Sequence, residues 1–159
     1  MNLQYRNMKV LGLRNYSNGI RYCILEGNDN QIKFVNKNAE TKIVKPRGYD
    51  GKELYLWYQS EINRILDANH GINALAIKQN EKIPSCYSKL KDIMFFDCMA
   101  SMAAYNRDIV VKSFIYNQLG ISSKTVKQQA ETIVGEKSDK YWDERIADAI
   151  VVANKLLEI

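Results

Sequence analysis

The chain has 159 residues, which is enough for one domain with a buried core. Apolar residues make up 46% of it and charged residues 26%, with only two prolines, and these proportions are ordinary for a soluble globular protein. The net charge of +5 permits a polyanionic partner without requiring one, since a solvated basic surface explains the charge nearly as well.

No targeting or membrane segment is expected. The N-terminal stretch MNLQYRNMKV has no apolar core, so a signal peptide is not predicted and the cytoplasm is the expected location. The longest apolar stretch, IMFFDCMASMAAY at residues 93–105, is too short for a membrane helix and contains Asp97.

Cysteine and histidine usage disfavours two kinds of site. The three cysteines, Cys23, Cys86 and Cys98, are odd in number and form no CxxC motif, so free thiols in a reducing compartment are expected. His70 is the single histidine and lies beside Gly71 in a turn-like stretch. Structural zinc and a Ser-His-Asp triad are therefore both unfavourable interpretations.

The N-terminal third predicts an antiparallel meander of three strands. The links RNYSNG and GNDN are rich in Gly, Asn and Asp, which is typical of hairpin turns. The predicted strands are residues 8–13, 20–27 and 31–36. The segment TKIVKPRGYDG is predicted as a loop, because Pro46, Gly48 and Gly51 break regular structure.

The remainder alternates helices with two strands. Apolar residues in 52–69 recur at spacings of three and four, which is the helical period. The apolar run at 72–78 lies between two helices, so a buried parallel strand is favoured. The other predicted elements are a loop at 79–85, a helix at 86–106, a strand at 109–115, a helix from Ser122 or Ser123 to Gly135, and a last helix at 142–158.

This order resembles the ribonuclease H-like fold and, within it, the RuvC-like branch of Holliday junction resolvases. Four segments carry the resemblance between Met8 and Leu157: KVLGLRNYSNGIRYCILEG is similar to the first hairpin, INALAIKQNE to the fourth strand, VKSFIYNQLGISSKTVKQQAETIVG to the fifth strand with its Lys-bearing link and helix, and DERIADAIVVANKLL to the terminal helix. The expected fold is α/β: a mixed five-stranded sheet, three antiparallel strands then two parallel, flanked by helices, in a single domain over residues 1–159.

The resemblance implies a chemistry that depends on carboxylates. Nucleases of this fold hold two magnesium ions with Asp and Glu at the ends of the first and fourth strands and on the last helix. The corresponding positions here are Arg14, Lys78 and Arg145, and only Asp148 remains a carboxylate. Because a cation cannot ligate magnesium and repels it at short range, neither a metal site nor a cofactor is expected.

These substitutions also predict a different site. If the fold brings Arg14, Lys78 and Arg145 near Asp148, three cations against one anion leave an excess of about two positive charges, which suits a phosphate group. The three cations are therefore predicted nucleic-acid-binding residues, with DNA or RNA as the partner. The alternative is that they are solvated strand ends that never meet.

Other residues keep further interpretations open. Lys124 and Lys127 match the region where the resembled proteins carry a basic residue near the substrate, although a solvated helix start explains them equally well. A relocated magnesium site with Glu81, Glu144 and Asp148 as catalytic residues is the alternative that would retain catalysis, and it would lack a ligand from the first strand.

Three functions follow from these interpretations. The leading hypothesis is a catalytically degenerate RuvC-like domain that binds nucleic acid or a protein partner through a basic pocket. The second is an active metal-dependent nuclease or Holliday junction resolvase, and the third is a structural subunit of an assembly. The resemblance also implies a homodimer, for which the Met- and Phe-rich helix at 93–105 is the predicted interface.

Overall fold

Six strands and five helices follow one another along the described residues, which are 4–82, 85–135 and 142–158 of the computed structural model. In chain order they are β1 (Lys9–Tyr16), β2 (Gly19–Asn28), β3 (Gln31–Phe34), β4 (Lys42–Val44), α1 (Gly51–Ala68), β5 (Ile72–Lys78), α2 (Tyr87–Tyr105), β6 (Val110–Phe114), α3 (Tyr116–Leu119), α4 (Val126–Val134) and α5 (Glu144–Leu157). Residues 83 and 84, within the predicted loop 79–85, lie outside the described residues.

The strands form one mixed sheet in the order β3-β2-β1-β5-β6. β1 pairs antiparallel with β2, and β2 pairs antiparallel with β3, as the hairpin turns predict. β5 joins β1 in parallel and β6 joins β5 in parallel, because a helix crosses over between each of these strand pairs. The predicted arrangement of three antiparallel strands followed by two parallel strands is confirmed.

A sixth strand lies where the sequence predicted only a loop. β4 pairs antiparallel with the start of β2, and its central residue, Ile43, is buried against the core. Three residues are too few to show the alternating pattern that identifies a strand, and the nearby Pro46 and Gly48 favour irregular structure. The pairing with β2 and the burial of Ile43 together hold this segment in the sheet.

The helices after β6 differ from the prediction in two places. α4 begins at Val126, after a turn in which the Ser122 carbonyl accepts a hydrogen bond from the Val126 amide at 3.0 Å. The serines therefore form the turn before the helix instead of its first residues. The four-residue helix α3, which follows β6 directly, was not predicted, because one helical turn carries too little periodicity to be recognised.

Side chains of β1 alternate between two packed layers. Leu11 and Leu13 lie in the core that α1 and α2 cover, whereas Val10 packs in the core formed with α4 and α5. Gly12 shares the α5 side with Val10, since successive residues of a strand face opposite sides. The helices thus cover both faces of the sheet, as expected for a sheet that contains parallel strands.

α5 lies unusually close to β1 at Gly12. A Cβ atom placed on Gly12 would lie 2.1 Å from the carbonyl oxygen of Ala149 and 2.9 Å from the Cβ of Ala153. Glycine and alanine at the crossing therefore permit a backbone approach that larger side chains would prevent. This approach positions the residue beside Ala149, which is Asp148.

The outer face of α2 carries exposed apolar side chains. The large ones on this helix are Tyr87, Met94, Phe95, Met102 and Tyr105. The dimer interface that was placed on this helix stays a prediction. Among the described residues, none of the helices combines the length and the apolar character that crossing a membrane requires.

Candidate nucleic-acid interface

The carboxyl ends of two parallel strands bring Arg14 and Lys78 together. Leu13 of β1 pairs with Ile77 of β5, so the residues that follow them, Arg14 and Lys78, lie side by side near the carboxyl end of the sheet. Strand alternation directs both cations to the side covered by α5, the side of Gly12 and Ala76. Asp148 is buried on that helix and faces them.

Arg14 and Asp148 form a largely buried ion pair. The Arg14 Nε donates to Asp148 Oδ2 at 3.1 Å, and the two side chains are 13% and 2% exposed. The remaining guanidinium nitrogens donate to the Asn15 carbonyl at 3.0 Å and to Asn80 Oδ1 at 3.2 Å. The other Asp148 oxygen, Oδ1, accepts the Tyr116 hydroxyl at 2.5 Å. Both carboxylate oxygens are therefore engaged.

Burial shifts the pKa values of two groups that are hydrogen-bonded to each other, the Asp148 carboxyl and the Tyr116 hydroxyl. It raises the pKa of Asp148, against the opposing effects of the Tyr116 hydroxyl and the Arg14 and Lys78 charges. Burial also raises the pKa of Tyr116, and the hydrogen bond to Asp148 raises it further. The Tyr116 phenol therefore stays protonated and acts as a donor to Asp148.

Lys78 is almost completely enclosed. Its side chain is 1% exposed, and its ammonium donates to the Gln79 carbonyl at 2.7 Å and to Glu81 Oε2 at 2.6 Å. The same ammonium lies 3.9 Å from the centre of the Tyr116 ring, a cation–π contact that adds to its stabilisation. A buried lysine with these partners is a fixed positive charge within the site.

Arg145 takes a position different from the one anticipated beside Asp148. Its guanidinium stacks on the Tyr16 ring at 4.3 Å from the ring centre, and the side chain is exposed. Tyr16 at the end of β1 offers an aromatic face that attracts a cation. Arg14 is thus the predicted cation that contacts Asp148 directly, whereas Lys78 reaches it through Tyr116.

A second buried arginine, which the sequence did not single out, supports Tyr16. Arg21 on β2 is buried, donates to the Tyr16 hydroxyl and pairs with Asp143 at 3.0 Å. Asp143 also begins α5, because its side chain accepts the Ile146 amide at 2.9 Å. The cluster connects the β1–β2 hairpin to the start of α5 and holds the ring on which Arg145 stacks.

These groups line a cavity of about 390 Å³ at the carboxyl end of the sheet. The cations on its lining are Arg14, Lys78, Lys82, Lys89 and Arg145, and the carboxylates are Glu81, Asp143, Glu144 and Asp148. The lining therefore carries an excess of one positive charge, which is smaller than the excess expected from three cations and one anion. Three further carboxylates account for the difference: Glu81 and Glu144, which the sequence placed beside Asp148 only in the alternative magnesium site, and Asp143, which it did not place there.

Two lysines at the cavity were missed, and two predicted ones lie outside its lining. Lys82 and Lys89 are exposed and make no ion pair within the described part of the chain. The signal for them was positional, since they flank the loop that leaves the carboxyl end of β5. Lys124 and Lys127 are exposed at the start of α4 and do not line the cavity, so their binding role stays a prediction.

A polar chain beneath the cavity was also missed. The Tyr58 hydroxyl donates to Asn15 at 2.7 Å, and the Asn15 amide donates to Asp97 at 2.8 Å. Asn15 follows Arg14, so it faces the opposite side of the sheet and meets α2. Burial raises the pKa of Asp97 to about 6, although Asn15, Arg14 and Lys78 act to lower it.

Replacing Asp97 with asparagine is expected to stabilise the protein at neutral pH. The unfolded chain releases this proton near the ordinary pKa of about 3.9, so the folded state holds more protons between about pH 4 and pH 6. The free energy of unfolding of the wild type therefore falls across that window, by up to about 3 kcal/mol. Urea denaturation of both proteins at several pH values is the measurement, and an identical pH dependence in Asp97→Asn would contradict this assignment.

The two metal ions implied by the resemblance do not fit the residues present. Both Asp148 oxygens already accept hydrogen bonds, one from Arg14 and one from Tyr116, and the Glu81 carboxylate is paired with the ammonium of Lys78. Within residues 4–82, 85–135 and 142–158, no three Asp, Glu, His or Cys side chains come together in a way that would hold a metal ion. Glu81, Glu144 and Asp148 share the cavity lining without forming such a group.

Solved structures with a similar fold include Holliday junction resolvases. RuvC of Thermus thermophilus, solved in complex with a Holliday junction substrate, has a TM-score of 0.74 at 13% identity, with 92% of this chain and 90% of that chain covered. A further Thermus thermophilus RuvC structure gives 0.71 at 13% identity over 92% and 91% of the two chains. The yeast mitochondrial Holliday junction resolvase gives 0.62 at 10% identity over 96% and 78%.

The chain has the RuvC-like form of the ribonuclease H-like fold. The recognition made from element order and four short segments is confirmed at the level of fold. No protein-family model and no curated protein sequence matches the chain. At this low identity the likeness to RuvC establishes the fold alone, so the function must be argued from the cavity itself.

Proposed function

We propose that this RuvC-like chain binds nucleic acid through the phosphate backbone, at the cavity between the strand ends and α5, without acting as a metal-dependent nuclease. The observation that carries the proposal is the Arg14–Asp148 ion pair, which places a guanidinium beside the carboxylate where the resembled nucleases hold metal ions. Lys78 adds a second fixed cation at the end of the neighbouring strand. Fixed cations attract phosphate oxygens and repel divalent metals.

Three exposed cations at the cavity supply the contacts that a backbone needs. Lys82, Lys89 and Arg145 make no ion pair within the described residues, so each is free to meet a phosphate. Stacking on Tyr16 restricts the Arg145 guanidinium and reduces the entropy that it would lose on binding. The Thermus thermophilus RuvC solved with a Holliday junction has the same fold, which supports a nucleic-acid partner for this chain.

The test is a binding titration with labelled four-way junction, duplex and single-stranded DNA. Binding is measured by fluorescence anisotropy in EDTA at several salt concentrations. Arg145→Ala and Lys89→Ala are each expected to weaken binding about tenfold, the size of one charge-assisted contact, and to lower the salt slope by about one. Lys33→Ala is the matched control, because it removes the same charge from β3 at the opposite end of the sheet, away from the cavity.

The outcomes separate the three functions. Equal losses in Lys33→Ala and Arg145→Ala would mean that binding follows net charge and not the cavity. Cleavage of the junction with manganese that disappears in Asp148→Asn would contradict the proposal in favour of a nuclease. If none of these DNA ligands binds at low salt and single-stranded and duplex RNA do not bind either, the structural-subunit hypothesis becomes the one to pursue.

A further inference from the structure

Lys78 is neutralised by a side chain that reaches it from the solvent side. Lys78 is 1% exposed, whereas the Glu81 side chain is 34% exposed, and their charged atoms lie 2.6 Å apart. The same Glu81 oxygen, Oε2, accepts the backbone N–H of Tyr116 at 3.0 Å. One carboxylate oxygen thus occupies a position surrounded by an ammonium and an amide donor.

The backbone around Glu81 is held in place independently of its carboxylate. The Gln79 amide donates to the Phe114 carbonyl at 2.9 Å, and the Asn80 side chain accepts a hydrogen bond from Arg14. Glu81 can therefore withdraw by rotation of its side chain while the segment keeps its path. The partly exposed carboxylate has solvent into which it can move.

Among the described residues, Lys78 has no second carboxylate within ion-pair distance to replace Glu81. Without it, the ammonium keeps the Gln79 carbonyl and the Tyr116 ring, and Asp148 is already engaged by Arg14 and Tyr116. Leaving a buried cation without its counter-charge is strongly unfavourable. A group that displaces Glu81 must therefore bring negative charge of its own, and phosphate oxygens accept the same hydrogen bonds as carboxylate oxygens.

We propose that Glu81 is a built-in competitor of the ligand: it occupies an oxyanion subsite formed by the Lys78 ammonium and the Tyr116 N–H, and a phosphodiester oxygen of bound nucleic acid displaces it. This role rests on the function proposed above: nucleic acid binds fully only when one of its phosphate oxygens takes the place of the Glu81 carboxylate. Although burial acts to raise the pKa of Glu81, the hydrogen bonds from Lys78 and Tyr116 hold it below its ordinary value, so the competitor is charged at neutral pH.

The experiment compares Glu81→Gln with Glu61→Gln for binding of a fluorescein-labelled DNA duplex. Both variants gain one unit of net charge, and both carboxylates pair with a cation three residues away, Glu61 with Arg64 on α1. Glu81→Gln is expected to bind about tenfold more tightly than the wild type, the smaller end of measured couplings between close charge pairs. Glu61→Gln is expected to change affinity much less, through net charge alone.

A double variant tests whether the gain in affinity of Glu81→Gln depends on Lys78. In a Lys78→Met background the Glu81→Gln change is expected to leave affinity unaltered, because the position for which carboxylate and phosphate compete no longer exists. Thermal unfolding of each variant with and without duplex adds a second readout. Glu81→Gln is expected to show a larger rise in Tm with duplex than the wild type, since the ligand restores the lost counter-charge.

Inorganic phosphate as a second probe separates this inference from the proposed function. If duplex binds equally to Glu81→Gln and Glu61→Gln, the competitor inference is wrong while nucleic-acid binding stands. If phosphate binds Glu81→Gln more tightly than the wild type and duplex does not bind at all, the subsite stands and the nucleic-acid function falls. If neither probe binds any variant, both proposals are wrong.

Discussion

Replacing Gly12 with alanine is expected to destabilise the protein by about 3 kcal/mol or more, at or beyond the upper end for an overpacked core. The added methyl group would meet the Ala149 carbonyl oxygen at 2.1 Å, so β1 and α5 would have to separate. A separation here also moves Asp148 away from Arg14. The variant should therefore lose stability and the geometry of the cavity together.

Urea denaturation of Gly12→Ala and of two further variants distinguishes a steric clash from the backbone strain that alanine causes at a glycine position. Ala153→Gly in the Gly12→Ala background removes the contact at 2.9 Å but not the one with the Ala149 carbonyl, so little rescue is expected. Gly48→Ala measures backbone strain alone, because Gly48 has a φ of +83° and open space around it. A loss in Gly12→Ala no larger than in Gly48→Ala would contradict the close approach.

Breaking the Arg14–Asp148 pair is expected to be asymmetric. Asp148→Ala leaves a guanidinium that cannot lose its proton, and removing one partner of a buried pair typically costs about 3–5 kcal/mol. Arg14→Met leaves a carboxyl group that burial already favours in its protonated form. The second variant should therefore lose less, and its deficit relative to the wild type should shrink as the pH falls.

The measurement is the free energy of unfolding of both variants across the acidic range, with two comparisons. The double variant Arg14→Met with Asp148→Leu should lie within about 2 kcal/mol of the wild type, since replacing both charges by apolar groups removes the desolvation penalty. Arg64→Met breaks two solvent-accessible ion pairs, with Glu40 and Glu61, and should still cost less than about 1 kcal/mol. An equally small loss in Asp148→Ala would mean that the buried pair behaves as a solvated one.

Local sequence patterns predict the fold well because they repeat. Hairpin turns, the helical period of α1 and the apolar run of β5 each extend over several residues, and together they define strand order and the parallel pairing of β5. The same logic predicts that Arg14 and Lys78 meet, because parallel strands end at a common edge. Elements of three or four residues, β4 and α3, carry no such repetition and were not predicted.

The detailed contacts of the site depend on side-chain partners that spacing does not reveal. The resemblance placed Arg145 where a metal-binding carboxylate would lie beside Asp148, so a position near Asp148 was expected, but the guanidinium stacks on the Tyr16 ring instead. Asp97 was noticed only as an interruption of an apolar helix, because its meeting with Asn15 depends on the packing of α2 against β1. The partners of Arg145 and Asp97 therefore depend on packing between segments that are distant in the sequence, which local patterns do not predict.

The strand order has a consequence for how the protein behaves at high concentration. One edge of the sheet is formed by β3 and β4, which both pair with β2, and the other edge is β6; edge strands are places where a second molecule can extend a sheet. β3 and β6 are short, and each contains a lysine, Lys33 and Lys112. If the edge strands of two molecules paired with each other, these like charges would come close together. The same lysines therefore act as a built-in safeguard against fibrous aggregation.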